Sequence, residues 1–219
     1  MPRPFHYAPP TDPFLSIVHC DDDVLVLDKP CGLLTVAGKS AELSDCLELR
    51  ARQQFPGALI VHRLDKDTSG VLVLGRNPAA HANLGLQFEK RQTQKIYIAR
   101  VWGHLKADRG RVDAPIATDW PNRPKQHVDH ENGRSAVTDW EVIAREPGAT
   151  LVRLIPLTGR SHQLRVHLLH LGHPILGDNL YAHDEALEAA PRLQLHAHSL
   201  AFTHPVTELP CSFSVSCPF

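Results

Sequence analysis

His62-Arg63-Leu64-Asp65-Lys66-Asp67-Thr68-Ser69-Gly70 is a mostly polar run between two apolar segments. Residues 58–61 and 71–74 are short and rich in Val, Leu and Ile, which predicts two buried strands on either side of a loop. Such a loop can be a plain turn, in which Asp67 bonds the backbone and Gly70 takes a positive φ. It can also carry a carboxylate that acts in catalysis beside an arginine that keeps it ionised.

The remainder of the chain predicts many strands and few helices. Helices are expected at residues 42–55, from Pro78 to about Arg91, and over 161–172 with Ser161 as N-cap. Further strands are expected at residues 24–27, 95–103, 136–144, 151–156, 195–202 and 212–216. Because helices and strands do not alternate regularly, the pattern predicts an α+β fold with a mixed or largely antiparallel sheet.

The composition is that of a globular protein. The 219 residues carry a formal net charge of -1 and are 42% hydrophobic. No apolar run approaches the roughly 18 residues that cross a bilayer, so a membrane-spanning helix is excluded. The N-terminal stretch has no apolar core of a signal peptide, so we expect a cytoplasmic protein. Its five cysteines lack CxxC spacing and predict reduced thiols.

The charge is unevenly distributed along the chain. Residues 49–111 contain twelve Lys and Arg against four Asp and Glu, a net charge of +8, whereas residues 21–48 sum to -5. A basic segment can be a solvated face, or it can bind phosphates. Since this segment includes the polar run, it keeps a nucleic-acid partner open despite the near-neutral total.

Two later segments also carry polar residues suited to a site. In the strand predicted at Lys95–Gly103, Tyr97 is expected to face a cleft while Ile96 and Ile98 pack inward. In the helix predicted after Gly159, the apolar stripe of Leu164, Leu168 and Leu171 leaves Arg165 off the packed face. Arg165 could reach a neighbouring active site or pair with a structural carboxylate.

The same helical segment contains four histidines, at positions 162, 167, 170 and 173. At about 100° per residue they spread around the helix, and no HExxH pattern or partnering CxxC accompanies them. We therefore expect no metal, with a metal-dependent hydrolase as an alternative that elemental analysis would test.

Together and in this order, the polar run, the segment Lys95–Gly103 and the segment Gly159–His167 resemble the RluA family of pseudouridine synthases. The resemblance extends through further stretches over nearly the whole chain, namely Asp28–Leu33, Asp119–Gln126 and Gly172–Asp178. One departure is Cys31, where the family commonly has a small polar residue.

The resemblance implies the pseudouridine synthase catalytic fold, with a central mixed, largely antiparallel sheet, flanking helices and an RNA-binding cleft. It implies a cofactor-free isomerisation of uridine to pseudouridine in stem-loops of both 23S ribosomal RNA and tRNA, the latter in the anticodon stem-loop. We expect residues 1–20 to be an extension and residues 21–219 to form one catalytic domain without an S4 module. We also expect a monomer.

By the same resemblance, Asp65 is the catalytic carboxylate, Tyr97 a general acid or base, and Arg165 the partner that keeps Asp65 ionised through a charge-assisted hydrogen bond. Arg63 would enter the RNA stack when the target base leaves, and His62 and Arg160 would contact the substrate. The alternatives are a synthase that acts on ribosomal RNA alone and an RNA-binding protein without catalysis.

Overall fold

The computed structural model describes Arg3 and residues 6–219. Its strands, in chain order, are β1 (Ile17–Cys20), β2 (Val24–Lys29), β3 (Leu59–Ile60), β4 (Ser69–Gly75), β5 (Gln94–Trp102), β6 (Arg109–Asp113), β7 (Ile116–Thr118), β8 (Gln126–Val128), β9 (Val137–Glu146), β10 (Ala149–Pro156), β11 (Leu195–Thr203) and β12 (Pro210–Ser214). Its helices are α1 (Leu47–Gln54), α2 (Pro78–Glu89), α3 (Gln163–His170) and α4 (Asp184–Glu188), with a 3-10 turn at Ala41–Leu43.

The chain divides into two compact units. One contains residues 6–95 and 196–218, and we call it the Asp65 unit. The other contains Arg3, residues 96–195 and Phe219, and we call it the Arg165 unit. None of the helices in the described part of the chain is both long and apolar enough to cross a bilayer.

The Asp65 unit is built on a mixed sheet. β2 pairs antiparallel with β1 and β4, β3 pairs antiparallel with β4, and β12 pairs antiparallel with β11. β4 and β11 run parallel. Both β2 and β4 are buried along almost their whole length, and α2 packs Leu84 into the same core. The buried strand predicted at residues 71–74 is thus confirmed, whereas the strand predicted at 58–61 is limited to the two residues of β3, which are only partly buried.

The Arg165 unit contains an antiparallel sheet in the order β5-β10-β9-β6 and a separate hairpin of β7 and β8. α3 lays Leu164 and Leu168 on a core that includes Ala99 and Val101, and Leu171 packs at its edge. The predicted stripe on α3 is therefore confirmed. The mixed, mostly antiparallel sheets and the few helices also confirm the α+β class.

The helix predicted at residues 42–55 begins later than expected. The chain forms a 3-10 turn and then an extended residue, Cys46, before α1 starts. The first N–H groups of α1, those of Leu47 and Glu48, donate to the carbonyls of Leu34 and Thr35 at 2.9 and 3.0 Å. This contact with a distant segment caps the helix, and local sequence could not reveal it.

The expected N-cap of α3 needs correction. Ser161 is not the N-cap of α3, because the cap position is His162 and the preceding turn is closed by Gln163, whose Oε1 accepts from Arg160 N at 3.0 Å. Residues 17–20, at the end of the segment expected to be an N-terminal extension, form β1 and pair with β2, and the boundary between that segment and the catalytic domain stays a prediction. The strands β6, β7 and β8 were not predicted either. They are short and lack a continuous apolar run.

Candidate active site

Asp65 lies on a loop between β3 and β4 in the Asp65 unit, together with His62 and Arg63. Its carbonyl accepts a hydrogen bond from Thr68 N at 3.1 Å, which closes a turn. The carboxyl-bearing residue is partly exposed, whereas Leu64 beside it is buried. The loop therefore exposes polar groups, whereas Leu64 anchors it in the protein interior.

Thr35 fixes the loop at Leu64. The Thr35 hydroxyl donates to Leu64 O at 2.7 Å and accepts from Leu64 N at 3.2 Å, so one side chain satisfies both backbone groups of the residue before Asp65. Thr35 is itself buried, at 3% exposure. Buried backbone groups left without partners are costly, so this contact sets the position of the loop.

Lys29 fixes the loop on the other side of Asp65. Its ammonium is fully buried and donates to three carbonyls, those of Pro30, Leu33 and Lys66, at 2.8, 2.7 and 2.9 Å. Gly32 N donates to the same Lys66 carbonyl at 2.9 Å. A lysine can donate three hydrogen bonds, which makes it suited to gathering three carbonyls. The sequence alone did not predict that Lys29 and Thr35 anchor the Asp65 loop.

His62 joins the loop to the sheet. β3 stops at Ile60, and His62 Nε2 accepts from Val73 N of β4 at 3.1 Å, a bond that a longer β3 would have supplied from its backbone. The ring also stacks on Phe88, with centroids 4.3 Å apart. Burial lowers the pKa of His62 to about 3, helped by the nearby Lys95 ammonium, so the ring is neutral at physiological pH. Contact of His62 with substrate stays a prediction.

The end of the polar run, Ser69 and Gly70, belongs to β4. Gly70 has a φ of +118°, and a Cβ there would lie 2.2 Å from the carbonyl oxygen of Ala197. Ser69 Oγ and His196 Nδ1 share a buried hydrogen bond of 2.9 Å. The requirement for glycine is thus structural, as the turn interpretation of this residue predicted.

Arg165 lies in α3 of the Arg165 unit and is held by a buried carboxylate. Its Nε and Nη2 donate to the two oxygens of Asp178 at 2.8 and 2.7 Å, and its guanidinium carbon lies 5.0 Å from the Tyr181 ring centroid. Asp178 also accepts from Leu180 N at 2.9 Å. The prediction that Arg165 could pair with a structural carboxylate is confirmed, and its partnership with Asp65 stays a prediction.

Tyr97 lies on the same face of β5 as Ala99 and Val101 and packs against the core of the Arg165 unit. Ile96 and Ile98 lie on the opposite face and are partly buried, as Tyr97 is. Projection of Tyr97 toward a cleft and its catalytic role stay predictions.

Arg160 precedes α3. Its Nε donates to Ser135 O at 3.0 Å, and its backbone N–H donates to Gln163. Arg160 is thereby fixed to the turn that begins the helix, in the same part of the Arg165 unit as Arg165. Its contact with substrate stays a prediction.

The histidines of the α3 segment have separate partners. His162 Nδ1 bonds the Tyr181 hydroxyl at 2.7 Å, His167 bonds Thr138 Oγ1 and Ala114 O, and His173 bonds Trp102 O. In the described part of the chain, the group of potential ligands that comes close together is instead Asp21, Asp23 and His204. Asp21 Oδ2 there lies 3.2 Å from His204 Nε2 and 2.7 Å from His19 Nε2.

The connection between β7 and β8 exposes an aromatic ring beside a cation. Trp120 is 69% exposed, and the Arg123 guanidinium carbon lies 4.6 Å from its ring centroid. The loop beneath is ordered by Asp119, whose carboxylate accepts from Asn122 Nδ2 and whose N–H donates to Lys125 O. An exposed, pre-oriented tryptophan next to arginine is a surface on which an unpaired base can stack.

Comparison with known proteins places these features in a family. The RNA pseudouridylate synthase family matches residues 23–170. The chain is 51% identical over 206 residues to the dual-specificity RNA pseudouridine synthase RluA of Yersinia pestis, covering 94% of this chain and 100% of that protein. It is 51% identical to the Escherichia coli protein of the same name, covering 91% of this chain and 92% of the relative.

A solved structure of a pseudouridylate synthase has a similar fold. Human RNA pseudouridylate synthase domain containing 1 superposes with a TM-score of 0.78 at 33% identity, covering 94% of this chain and 84% of the human chain. The family match over residues 23–170 spans both the Asp65 loop and α3, and the sequence resemblance is confirmed. This chain belongs to the RNA pseudouridylate synthase family.

Proposed function

We propose that this protein converts uridine to pseudouridine in both 23S ribosomal RNA and tRNA, at stem-loop targets that include the tRNA anticodon stem-loop. The dual substrate range is supported by relatives named dual-specificity synthases that are about half identical over nearly the whole chain. A cytoplasmic location and a monomeric state go with this proposal. So does the division into a segment 1–20 and a catalytic domain 21–219.

The reaction is an isomerisation whose atoms balance without a cofactor. The bond from uracil N1 to ribose C1′ breaks, the detached uracil turns, and a bond from C5 to C1′ forms. The C5 proton is removed and N1 gains a proton. The protein therefore needs a carboxylate at the nucleotide, a group that moves a proton, and a way to hold the base outside the RNA stack.

In this proposal Asp65 is that carboxylate, and the observation that carries it is the anchoring of its loop. Thr35 holds the residue before Asp65, and Lys29 holds the residue after it, each through a hydrogen bond from its side chain to a backbone carbonyl. A reactive group must be kept within a fraction of an ångström of its productive position, and a loop fixed on both sides provides that.

The other roles follow the family pattern. Two hydrogen bonds to Asp178 fix the plane of the Arg165 guanidinium, and Arg165 would keep the Asp65 carboxylate ionised. Tyr97 would transfer a proton as general acid or base. Arg63, next to the turn at Asp65, would fill the space that the extruded base leaves. His62 and Arg160 would contact RNA. Trp120 adds a stacking surface for an unpaired base in the target loop.

Tritium release tests the proposal directly. Transcripts of a 23S ribosomal RNA fragment and of tRNA, labelled with tritium at uridine C5, are incubated with the full chain, and tritium in water is counted. Release from both supports the dual assignment, whereas release from ribosomal RNA alone supports the narrower synthase. Binding without release from either would contradict the enzyme assignment. Mapping of pseudouridines in RNA from a deletion strain then identifies the positions.

A further inference from the structure

Tyr181 contacts both the hairpin of β7 and β8 and the start of α3, all within the Arg165 unit. The residue is 9% exposed, and its ring packs with Val166 of α3 and Ile116 of β7 in a small apolar core. Its hydroxyl hydrogen-bonds to the hairpin and to the residue from which the helix starts. One buried side chain therefore joins the two elements through its ring and through its hydroxyl.

On the hairpin side, the Tyr181 hydroxyl accepts a hydrogen bond from Gln126 N at 2.8 Å. Gln126 is the first residue of β8, and the loop that carries Trp120 ends immediately before it. That loop is closed by Asp119 N, which donates to Lys125 O at 3.0 Å. The bond to Tyr181 therefore anchors the hairpin at the point where the Trp120 loop enters β8.

On the helix side, the same hydroxyl shares a hydrogen bond of 2.7 Å with His162 Nδ1. His162 is the N-cap of α3 and has a φ of +55°, in the left-handed region that favours glycine. Another residue type persists in this conformation only when its surroundings hold it there. The Tyr181 ring supplies a second contact, because it meets the His162 ring edge-on with centroids 5.7 Å apart. Tyr181 therefore holds the residue from which α3 begins.

Arg165, in the first turn of α3, lies against the ring of the same tyrosine. Its guanidinium carbon is 5.0 Å from the Tyr181 ring centroid. Asp178 Oδ1 accepts from Arg165 Nη2 at 2.7 Å and from the Tyr181 backbone N–H at 3.2 Å, so the arginine and the tyrosine share one carboxylate oxygen. The Trp120 loop and the Arg165 guanidinium are thus connected through the hydroxyl, the ring and the backbone of Tyr181.

We propose that Tyr181 is a positioning residue, which keeps the Trp120 loop and Arg165 in one fixed arrangement. This inference rests on the proposed function, in which Trp120 stacks an unpaired base and Arg165 acts on the Asp65 carboxylate. RNA that binds to the loop then has a constant position relative to the arginine. The groups of a catalytic site must be fixed within a fraction of an ångström, and buried hydrogen bonds from supporting residues provide that precision.

A double-mutant cycle in the full chain tests the connection to the hairpin. It combines Trp120→Ala with Tyr181→Phe, which keeps the ring and removes the hydroxyl, and it measures the affinity for stem-loop RNA. Residues of one hydrogen-bond network have coupled effects, so the loss of affinity caused by Trp120→Ala should be about three- to tenfold smaller in the Tyr181→Phe background than in wild type. Equal losses in the two backgrounds would overturn the proposal.

Tyr7→Phe is the matched control for a purely structural effect. Tyr7 belongs to the Asp65 unit, and its hydroxyl also accepts from a backbone N–H, that of Leu34 at 3.1 Å. Both tyrosine substitutions should lower the melting temperature, because each leaves a backbone N–H without its partner. Only Tyr181→Phe should change the effect of Trp120→Ala. Coupling of equal size in the Tyr7→Phe background would show that the cycle measures a general loss of stability, and the proposal would fail.

His162→Gly tests the connection to Arg165 without altering the tyrosine, so it stays informative where Tyr181→Phe fails to fold. Glycine adopts the left-handed conformation without strain, which keeps the start of α3 while the hydrogen bond to Tyr181 is lost. The single-turnover rate of tritium release at saturating RNA should fall about tenfold, because a positioned group is displaced. A wild-type rate in His162→Gly would contradict the proposal.

The protein with both His162→Gly and Tyr181→Phe completes the second cycle. Because the two substitutions break the same hydrogen bond, its rate should lie closer to that of either single variant than to the product of the two losses. Independent, multiplying losses would refute the connection. Tritium release by wild type is the reference for the proposed function. Its absence would remove the enzyme assignment, whereas the affinity cycle, which needs only RNA binding, still tests the connection between Tyr181 and the Trp120 loop.

Discussion

Arg165 and Asp178 form a buried ion pair with two hydrogen bonds, from Nε to Oδ2 at 2.8 Å and from Nη2 to Oδ1 at 2.7 Å. Exposure is 5% for the Arg165 side chain and zero for Asp178. The two-point geometry fixes the plane of the guanidinium and uses two of its five N–H groups. Asp178 is therefore a positioning residue for Arg165.

We predict that Asp178→Asn destabilises the protein strongly. The substitution keeps the shape but removes the carboxylate charge from the two-point pair with the buried Arg165 guanidinium, and breaking such pairs costs about 3–5 kcal/mol. Urea unfolding followed by circular dichroism measures the change. Glu141→Gln, which breaks an exposed pair with Arg153, is the matched control and should cost less than about 1 kcal/mol. Equal effects of the two substitutions would refute the prediction.

Asp65→Asn should abolish pseudouridine formation and leave RNA affinity and the melting temperature close to wild type. The carboxylate is partly exposed, and the backbone of its loop is anchored by other residues, so loss of the charge should not disturb the fold. Single-turnover tritium release gives the rate. Asp67→Asn, two residues along the same loop, is the control and should retain activity. Measurable turnover by the Asp65→Asn protein would remove Asp65 from its assigned role.

The loop at Asp65 could be predicted from sequence because its signal is local. Apolar runs on both sides specify two strands, and the polar residues between them can only form the connection. The boundaries of β2, β4 and α2 follow from similar local signals, including Asn77 as the N-cap of α2, whose side chain accepts from Ala80 N at 2.8 Å. The α+β fold class could also be predicted, because it follows from the number and order of these locally specified helices and strands.

The anchors of that loop could not be predicted, since they join distant parts of the chain. Lys29 bonds Lys66 across 37 residues, and Thr35 bonds Leu64 across 29. A lysine at the end of a strand normally reaches solvent, and nothing local indicates that this one is buried among carbonyls. Asp178, the partner of Arg165, was likewise hidden in a segment whose length and composition suggest only a loop.

Thr35→Val tests the anchor at Leu64. Valine preserves the volume but removes the hydroxyl, so the N–H and C=O of Leu64 both lose their partner in a buried place, at a cost of about 1–3 kcal/mol. We expect this loss in urea unfolding and a larger proportional fall in the single-turnover rate than in RNA affinity. Thr35→Ser restores the hydroxyl and should recover both. A normal rate in Thr35→Val would show that the anchor does not matter for catalysis.

Trp120→Ala should weaken binding of stem-loop RNA with little change in the melting temperature. The ring is 69% exposed, so it contributes little to the core, whereas stacking of one base on an aromatic ring is worth about 1–3 kcal/mol. Fluorescence anisotropy of labelled RNA gives the affinity. Trp120→Phe should retain most of it, because phenylalanine keeps a stacking surface. Normal binding by Trp120→Ala would exclude Trp120 from the RNA interface.

His62 should make folding stability depend on pH in the acid range. Its pKa falls from 6.5 to about 3 on folding, so between these values the unfolded chain binds a proton that the folded chain does not. Stability then rises with pH across that window, by up to about 1.4 kcal/mol per pH unit, and this contribution is flat above pH 6.5.

The comparison that isolates this effect is wild type against His62→Gln, in urea unfolding between about pH 4 and 7.5. Glutamine does not titrate, and its Oε1 can accept from Val73 N as the histidine ring does. The difference in unfolding free energy between the two proteins should vary with pH below about 6.5 and be constant above it. His130→Gln, at an exposed histidine, controls for the loss of an imidazole and should not reproduce this difference. Parallel curves for wild type and His62→Gln would mean that His62 titrates normally in the folded protein and is free to act as a charged contact.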